Sequence, residues 1–223
     1  MFGRRRIKRV HAKFLESCRN LQEGRAYWAQ SGGFRRWILD TLSPIPLIGL
    51  HENGRRLLEA LQWLEMNRKS SMLREETLRR FHRMIQGEES PDAGAYRKRD
   101  IAVAGSKLSR PAAQKVPALM KQLDLKLEEE QARLDSVAKP DETGVLTLAV
   151  AVHQRIAFIH PFPDANGRVA RLAMTHLLRR YGLGYSIFPP VNESADHWNA
   201  LEAGHRGDLK PLVEFARSVM LRV

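Results

Sequence analysis

One cysteine, Cys18, occurs in the whole chain of 223 residues, which excludes an internal disulfide framework and any multi-cysteine zinc site. No apolar run approaches the roughly 20 residues that a transmembrane helix needs. The basic opening Met1–Val10 is not followed by the apolar stretch of a secretory signal. Internal repeats and low-complexity tracts are missing as well. These absences lead to the expectation of a cytoplasmic protein in a reducing compartment, with no membrane partner. What is there is ordinary core material and an excess of positive charge. Hydrophobic residues make up 43% of the chain, enough for a full core without staples. Lys+Arg number 37 against 25 Asp+Glu, a formal net charge of +12, which fits an anionic partner. Nucleotide, nucleic acid, acidic lipid and acidic protein all satisfy that charge, and composition does not choose among them.

Residues 1–33 read as a basic N-terminal extension ending at the Ser31-Gly32-Gly33 break, and residues 34–223 as one domain. The Arg4–Arg9 cluster is better explained by a solvated helix end or a frayed terminus than by contact with nucleic acid or lipid head groups. Pro44 and Pro46 stop any helix entering from Phe34–Leu42. Leu57, Leu58, Leu61 and Leu64 then share one helical face. Ser70 or Ser71 is expected to cap a second helix carrying Leu73, Leu78, Phe81 and Ile85. Residues 96–105 are the one stretch that reads extended. Residues 117–135 are helical in pattern, with Leu119, Leu123, Leu127 and Leu134 inward. The segment Val145–Ile159 is apolar on several faces, as a central helix would be. The fold class expected is mainly α, a helical bundle with one short β-hairpin.

The chemistry concentrates in His160-Pro161-Phe162-Pro163-Asp164-Ala165-Asn166-Gly167-Arg168-Val169-Ala170-Arg171. Two prolines force the chain out of one helix, and a new helix restarts near Asn166 or Gly167. A helix N-terminus offers free N–H groups and positive dipole to an anion, and Gly167 lets a phosphate come close. Arg168 and Arg171, three apart, add guanidinium forks suited to phosphate oxygens. Asp164 is a hard oxygen ligand suited to Mg²⁺ carried on those phosphates. His160 can take a proton near neutral pH. Singly each has a bland explanation: a helix-end histidine, an N-cap aspartate, a solvated arginine face. Phe162 is better explained by burial than by chemistry. Jointly, within twelve residues, they point to phosphoryl or nucleotidyl transfer. A zinc hydrolase is excluded, because His153, His160 and His176 are widely spaced and no H-E-x-x-H occurs.

This stretch resembles the signature of the Fic (filamentation induced by cAMP) family, His-x-Phe-x-(Asp/Glu)-(Gly/Ala)-Asn-Gly-Arg-x-x-Arg, at every constrained position. The likeness extends from about Leu47 to the C-terminus. It implies a Fic-type helical bundle with a β-hairpin flap, acting as a protein adenylyltransferase that moves AMP from ATP onto a Ser, Thr or Tyr hydroxyl. On that likeness His160 would be the general base and Asp164 the Mg²⁺ holder. Asn166, Gly167, Arg168 and Arg171 would bind the nucleotide's phosphates, with His197, Trp198 and His205 at the base. Gly167 favours AMP transfer, since relatives that move phosphate carry Lys there. The flap residues Arg97, Lys98, Arg99, Asp100, Ile101, Ala102 and Val103 would dock an extended target segment. Ile48-Gly49-Leu50-His51-Glu52-Asn53 resembles the family's inhibitory motif, with Ile48 in place of Ser/Thr. It would sit in an inhibitory helix near 47–66, with Glu52 pairing Arg171, and would also allow the reverse removal of AMP. ATP, a hydroxyl-bearing protein target and a second copy of the chain are the implied partners. Two alternatives stand beside this: a Fic enzyme that transfers UMP, phosphate or phosphocholine, and a basic nucleic-acid-binding protein with a vestigial Fic loop. Against the second, a decayed site would have lost His160, Asp164 or Arg171.

Overall fold

The computed structural model describes residues 50–103, 106, 108–186 and 195–221, with the side chains of 50–55, 58, 62, 185, 186 and 221 left aside. The expected extension over 1–33 and the Pro44–Pro46 stop lie outside the described residues. Helices dominate: α1 (Leu50–Asn67), α2 (Glu75–Gln86), α3 (Val116–Asp135), α4 (Glu142–Ile159), α5 (Asn166–Arg180), α6 (Ala195–His205) and α7 (Lys210–Ser218). A short 3₁₀ turn, Ala113–Lys115, leads into α3.

Helices α4 and α5 form the centre, packed most extensively against each other. From α4, Leu146, Ala149, Val150 and Ile156 are fully buried; from α5, so are Val169, Ala170, Ala173, Met174 and Leu177. A helix apolar on several faces is stable only when neighbours surround it, and α3, α5, α6 and α7 do so for α4. On α1, Leu57, Ala60, Leu61 and Leu64 make the buried stripe that faces α2 and α5. On α3, Met120 takes an inward place and Leu119 is half-buried.

The start of α2 differs from the serine cap expected at Ser70 or Ser71. The helix begins at Glu75, and the cap comes from another helix. Asp124 of α3 accepts from the Glu75 N–H at 2.8 Å and from Arg74 Nε at 2.9 Å. The Arg74 guanidinium, through that hydrogen bond, holds the Asp124 carboxyl below its ordinary range. Gln131 of α3 pins the preceding residue both ways, accepting from Leu73 N–H and donating to Leu73 C=O, each at 2.8 Å. Such a cap is set by packing and leaves no local signal.

The β-hairpin expected near 96–105 is not formed by the described residues there. The pairing that does occur is antiparallel and short, β1 (Tyr185–Ser186) against β2 (Met220–Leu221). The reason is local. Arg97 turns inward, and Asp100 spends its Oδ1 on the Ala113 N–H at 2.6 Å, at the mouth of the 3₁₀ turn.

Candidate active site

Helix α4 ends where Pro161 removes the next donor, and its C-cap, His160, takes the left-handed conformation (φ 51°, ψ 59°). Five residues on, Ala165 does the same at φ 61° and caps the N-terminus of α5. These are the non-glycine residues with positive φ among those described. Left-handed backbone at non-glycine positions costs about 1–3 kcal/mol each and persists only where the surroundings over-determine it.

Three contacts hold the loop between them. Phe162 is 0% exposed, its ring stacked on His82 at 4.1 Å and 7° and tilted against Tyr96 at 5.6 Å. Asn166 closes the loop on itself: its Oδ1 accepts from Phe162 N–H at 2.9 Å and its Nδ2 donates to Phe162 C=O at 2.8 Å. Arg97 donates to the backbone carbonyl of His160 at 2.8 Å, while its own N–H donates to Pro161 C=O at 2.9 Å.

Two residues expected to face substrate are thus occupied elsewhere. The side chain of Asn166 ties the loop, leaving its backbone N–H to the cradle. Arg97 is 4% exposed and is no part of a solvated docking rim. Lys98, Arg99 and Asp100 are exposed. Of the further docking residues, Ala102 is exposed and Ile101 and Val103 are half-buried.

No side chain caps α5, so the N–H groups of its first turn open at Gly167, which is itself exposed. Arg168 and Arg171, 7% and 6% exposed, flank that turn. Arg168 Nη2 donates to Asp164 Oδ2 at 3.0 Å, and the Asp164 side chain is 71% exposed. Burial, reinforced by Arg168, pushes the Arg171 guanidinium down to about 10, so it still carries its charge at neutral pH. Thr175 and Leu172 of α5, with Leu57 and Leu61 of α1, close a cavity of about 10 Å³ around the two arginines. Glu52 lies in α1, with its side chain outside the described residues.

His160 is half-buried, and its Nδ1 lies 3.4 Å from Ala157 C=O. Donation there makes Nδ1 the protonated nitrogen and leaves the Nε2 lone pair as acceptor. Burial, then the charges of Arg110 and Arg97, lower its pKa, against the Ala157 carbonyl and Asp164, which raise it. Arg110 lies 5.9 Å over the Phe158 ring, with no partner for Nε or Nη1 among the described residues.

The base-binding set divides. His197 is fully buried and stacks on Phe215 at 5.3 Å and 5°, 5.8 Å from His153, so it is a core side chain. Trp198 is half-buried on α6. His205 shares a 2.8 Å hydrogen bond with Gln154 and lies 5.4 Å from Phe158.

His82 and Tyr96 are the supports that sequence reading missed. Burial lowers the His82 pKa to about 4, and the ring accepts from Gly94 N–H at 2.9 Å. Tyr96 donates to Glu75 Oε1 at 2.8 Å. His82 lies in the helix expected from Leu73, Leu78, Phe81 and Ile85, with nothing in that apolar pattern to show that it would stack on Phe162.

Gly167 permits a clean substitution. A Cβ there would meet the Arg171 guanidinium at 3.5 Å, ordinary contact with a flexible group. Gly167→Ala is therefore expected to keep or raise stability by roughly 0.5–1 kcal/mol, and, on the phosphate-binding role that the resemblance implies for Gly167, to weaken pyrophosphate and ATP binding several-fold. Thermal melting and calorimetric titration read the two effects separately.

Comparison with known proteins follows the same lines. The model of the Fic/DOC family matches residues 72–178. The chain is 28% identical over 189 residues to the protein adenylyltransferase Fic of Nematostella vectensis, covering 81% of this chain and 41% of that one. Among solved structures it is similar to Fic-1 from C. elegans, with TM-score 0.63, 25% identity, and 85% and 55% of the two chains covered. A Fic domain-containing signalling protein from Bacteroides thetaiotaomicron shares the fold at TM-score 0.67 and 21% identity, covering 95% and 86%. The chain thus spans less than half the length of the sea-anemone relative.

Proposed function

Since this chain belongs to the Fic/DOC family, we propose that it transfers AMP from ATP to a Ser, Thr or Tyr hydroxyl of a target protein. The observation that carries the reading is the uncapped first turn of α5, with exposed Gly167 between a lowered-pKa His160 and two buried arginines.

His160 Nε2 accepts the proton of the target hydroxyl as its oxygen bonds to the α-phosphorus. The bond from that phosphorus to the bridging oxygen breaks, and pyrophosphate leaves. The first-turn N–H groups of α5 hold the charge that grows on the α-phosphate oxygens. Arg168 and Arg171 hold the departing pyrophosphate. Asp164 fits Mg²⁺ as an exposed hard oxygen at the edge of this cradle. Among the described residues no group of three metal-ligating side chains occurs, and one carboxylate suits an ion brought in on substrate phosphates. When bound, Mg²⁺ would neutralise charge on those phosphates; Asp164 would exchange its contact with Arg168 for it.

The same reading takes residues 34–223 as the catalytic unit, with an optional second copy as partner, in a reducing, cytoplasmic setting. Among the described residues no helix is long and apolar enough to cross a membrane. The backbone of 98–103 would receive the target as an added strand.

The brake belongs to this proposal too. Leu57 and Leu61 of α1 wall the cavity beside Arg168 and Arg171, and Glu52 is five residues upstream on the same helix, about 7.5 Å along its axis. Glu52→Gly is therefore expected to raise labelling from α-³²P-ATP and ATP affinity at least several-fold. Equal labelling of wild type and variant would reject the brake and keep the chemistry; label from α-³²P-UTP alone would favour the UMP alternative.

A further inference from the structure

We propose that Arg97 is a positioning residue for the His160 base, stapling both ends of the 98–110 segment to the carbonyls where α4 ends. The proposal deepens the transfer reading and rests on it for the identity of the base.

The observation is how many backbone acceptors converge on one buried guanidinium. Arg97 Nε donates to His160 C=O at 2.8 Å, and Nη2 reaches Ile159 C=O at 3.4 Å. Nη2 also donates to Pro111 C=O, and Nη1 to Arg99 C=O at 2.9 Å. The residue's own N–H donates to Pro161 C=O. Carbonyls at a helix C-terminus have no intrahelical donor and carry the negative end of the dipole, so a buried cation fits them. The carboxylate nearest it, Asp100 at 3.9 Å, is largely exposed and is used on Ala113. Backbone carbonyls therefore do most of the work of solvating this charge.

Two consequences follow from that arrangement. His160 is in a left-handed conformation, and among the described residues its ring makes a single long hydrogen bond, to Ala157 C=O at 3.4 Å. The direction of the imidazole is then set by its backbone, and the Arg97 bond to the His160 carbonyl fixes that peptide. Arg99 and Pro111 stand toward opposite ends of the 98–110 segment, which contains the docking residues 98–103. One side chain thus joins both ends of that segment to the base, so a target seated on 98–103 aligns His160 through Arg97. Lysine cannot replace it, because a single ammonium does not span carbonyls lying in several directions.

The test uses Arg97→Lys and Arg97→Met, each in the full chain carrying Glu52→Gly. Two readouts are taken: steady-state labelling from α-³²P-ATP, and NMR titration of the His160 ring, assigned by its loss in His160→Asn. A misplaced base can cost about 10²-fold. Expected are a fall in kcat of about 10-fold for Lys and about 100-fold for Met, with KM for ATP within about twofold and folded fraction unchanged. The His160 midpoint should rise toward its ordinary value in Arg97→Met, since a neighbouring cation that lowers it is gone. Wild-type kcat in both variants would overturn the proposal. So would an unmoved His160 titration in Arg97→Met, or a loss of rate that tracks loss of folded protein. A shifted titration in a parent that transfers no label supports the staple and rejects the transfer reading instead.

Discussion

Transfer of AMP is expected to fall by about 10²–10⁴-fold when His160 is replaced, the range a positioned general base contributes. The choice of replacement matters because the site is left-handed, at φ 51°. His160→Asn tolerates that backbone and cannot act as base, so its loss reports chemistry. His160→Ala adds backbone strain, and thermal melting of the two variants separates the effects. The pH dependence follows from the direction of the shift. Burial lowers the His160 pKa below the usual 6.5, so the neutral, proton-accepting ring persists to more acid solution than a free histidine would. The acid limb of the wild-type rate profile is expected below pH 6.5 and should vanish in His160→Asn. An acid limb at or above that value would contradict the burial argument. Retained labelling of a target by His160→Asn would remove His160 from its role.

The second large effect is at Asn166, and it falls on stability and activity together. Its side chain makes both hydrogen bonds to the buried Phe162 backbone. Asn166→Ala leaves a buried N–H and a buried C=O without partners, each costing about 1–3 kcal/mol. A loss of about 2–5 kcal/mol is expected from denaturant unfolding. Asn166→Asp keeps the acceptor for the N–H and loses the donor to the C=O, so it should fall between wild type and Ala. Activity of the folded fraction should drop in both, because His160 and the first turn of α5, the proposed base and phosphate cradle, flank the loop that Asn166 closes. If both variants unfold as the wild type does, the loop is held by Phe162 and Arg97 without it.

Asn166 also shows how sequence and structure divide. Its place in the motif is legible, and the family resemblance assigns it to the nucleotide. The structure shows a side chain facing inward, because a loop entering and leaving through two left-handed residues needs internal hydrogen bonds. His197 and Arg97 moved likewise, from expected substrate contacts to buried places. Histidine and arginine types are read as chemistry, yet burial decides whether they meet solvent. The start of α2 was misplaced for a related reason: Asp124, 49 residues away, supplies the cap. Among the described residues of 96–105 no strand pairing occurs; Arg97 is taken up by the end of α4 and Asp100 by the turn before α3.

By itself the sequence determined the helical class, the apolar stripes of α1 to α3, the all-round apolar α4, the break after Ile159 and the restart near Asn166 or Gly167. Period, proline placement and glycine are local properties, and a linear pattern carries them in full. It also singled out the twelve residues on which the proposed chemistry rests, since that motif is contiguous. Only the tertiary structure decided which of those side chains are buried and which exposed, that His82 supports Phe162 from a separate helix, and that Arg97 reaches the His160 carbonyl. Those contacts join residues as many as 80 positions apart. No local preference encodes them; they exist because packing α2 and the 97–111 segment against the end of α4 brings buried donors to carbonyls that need them.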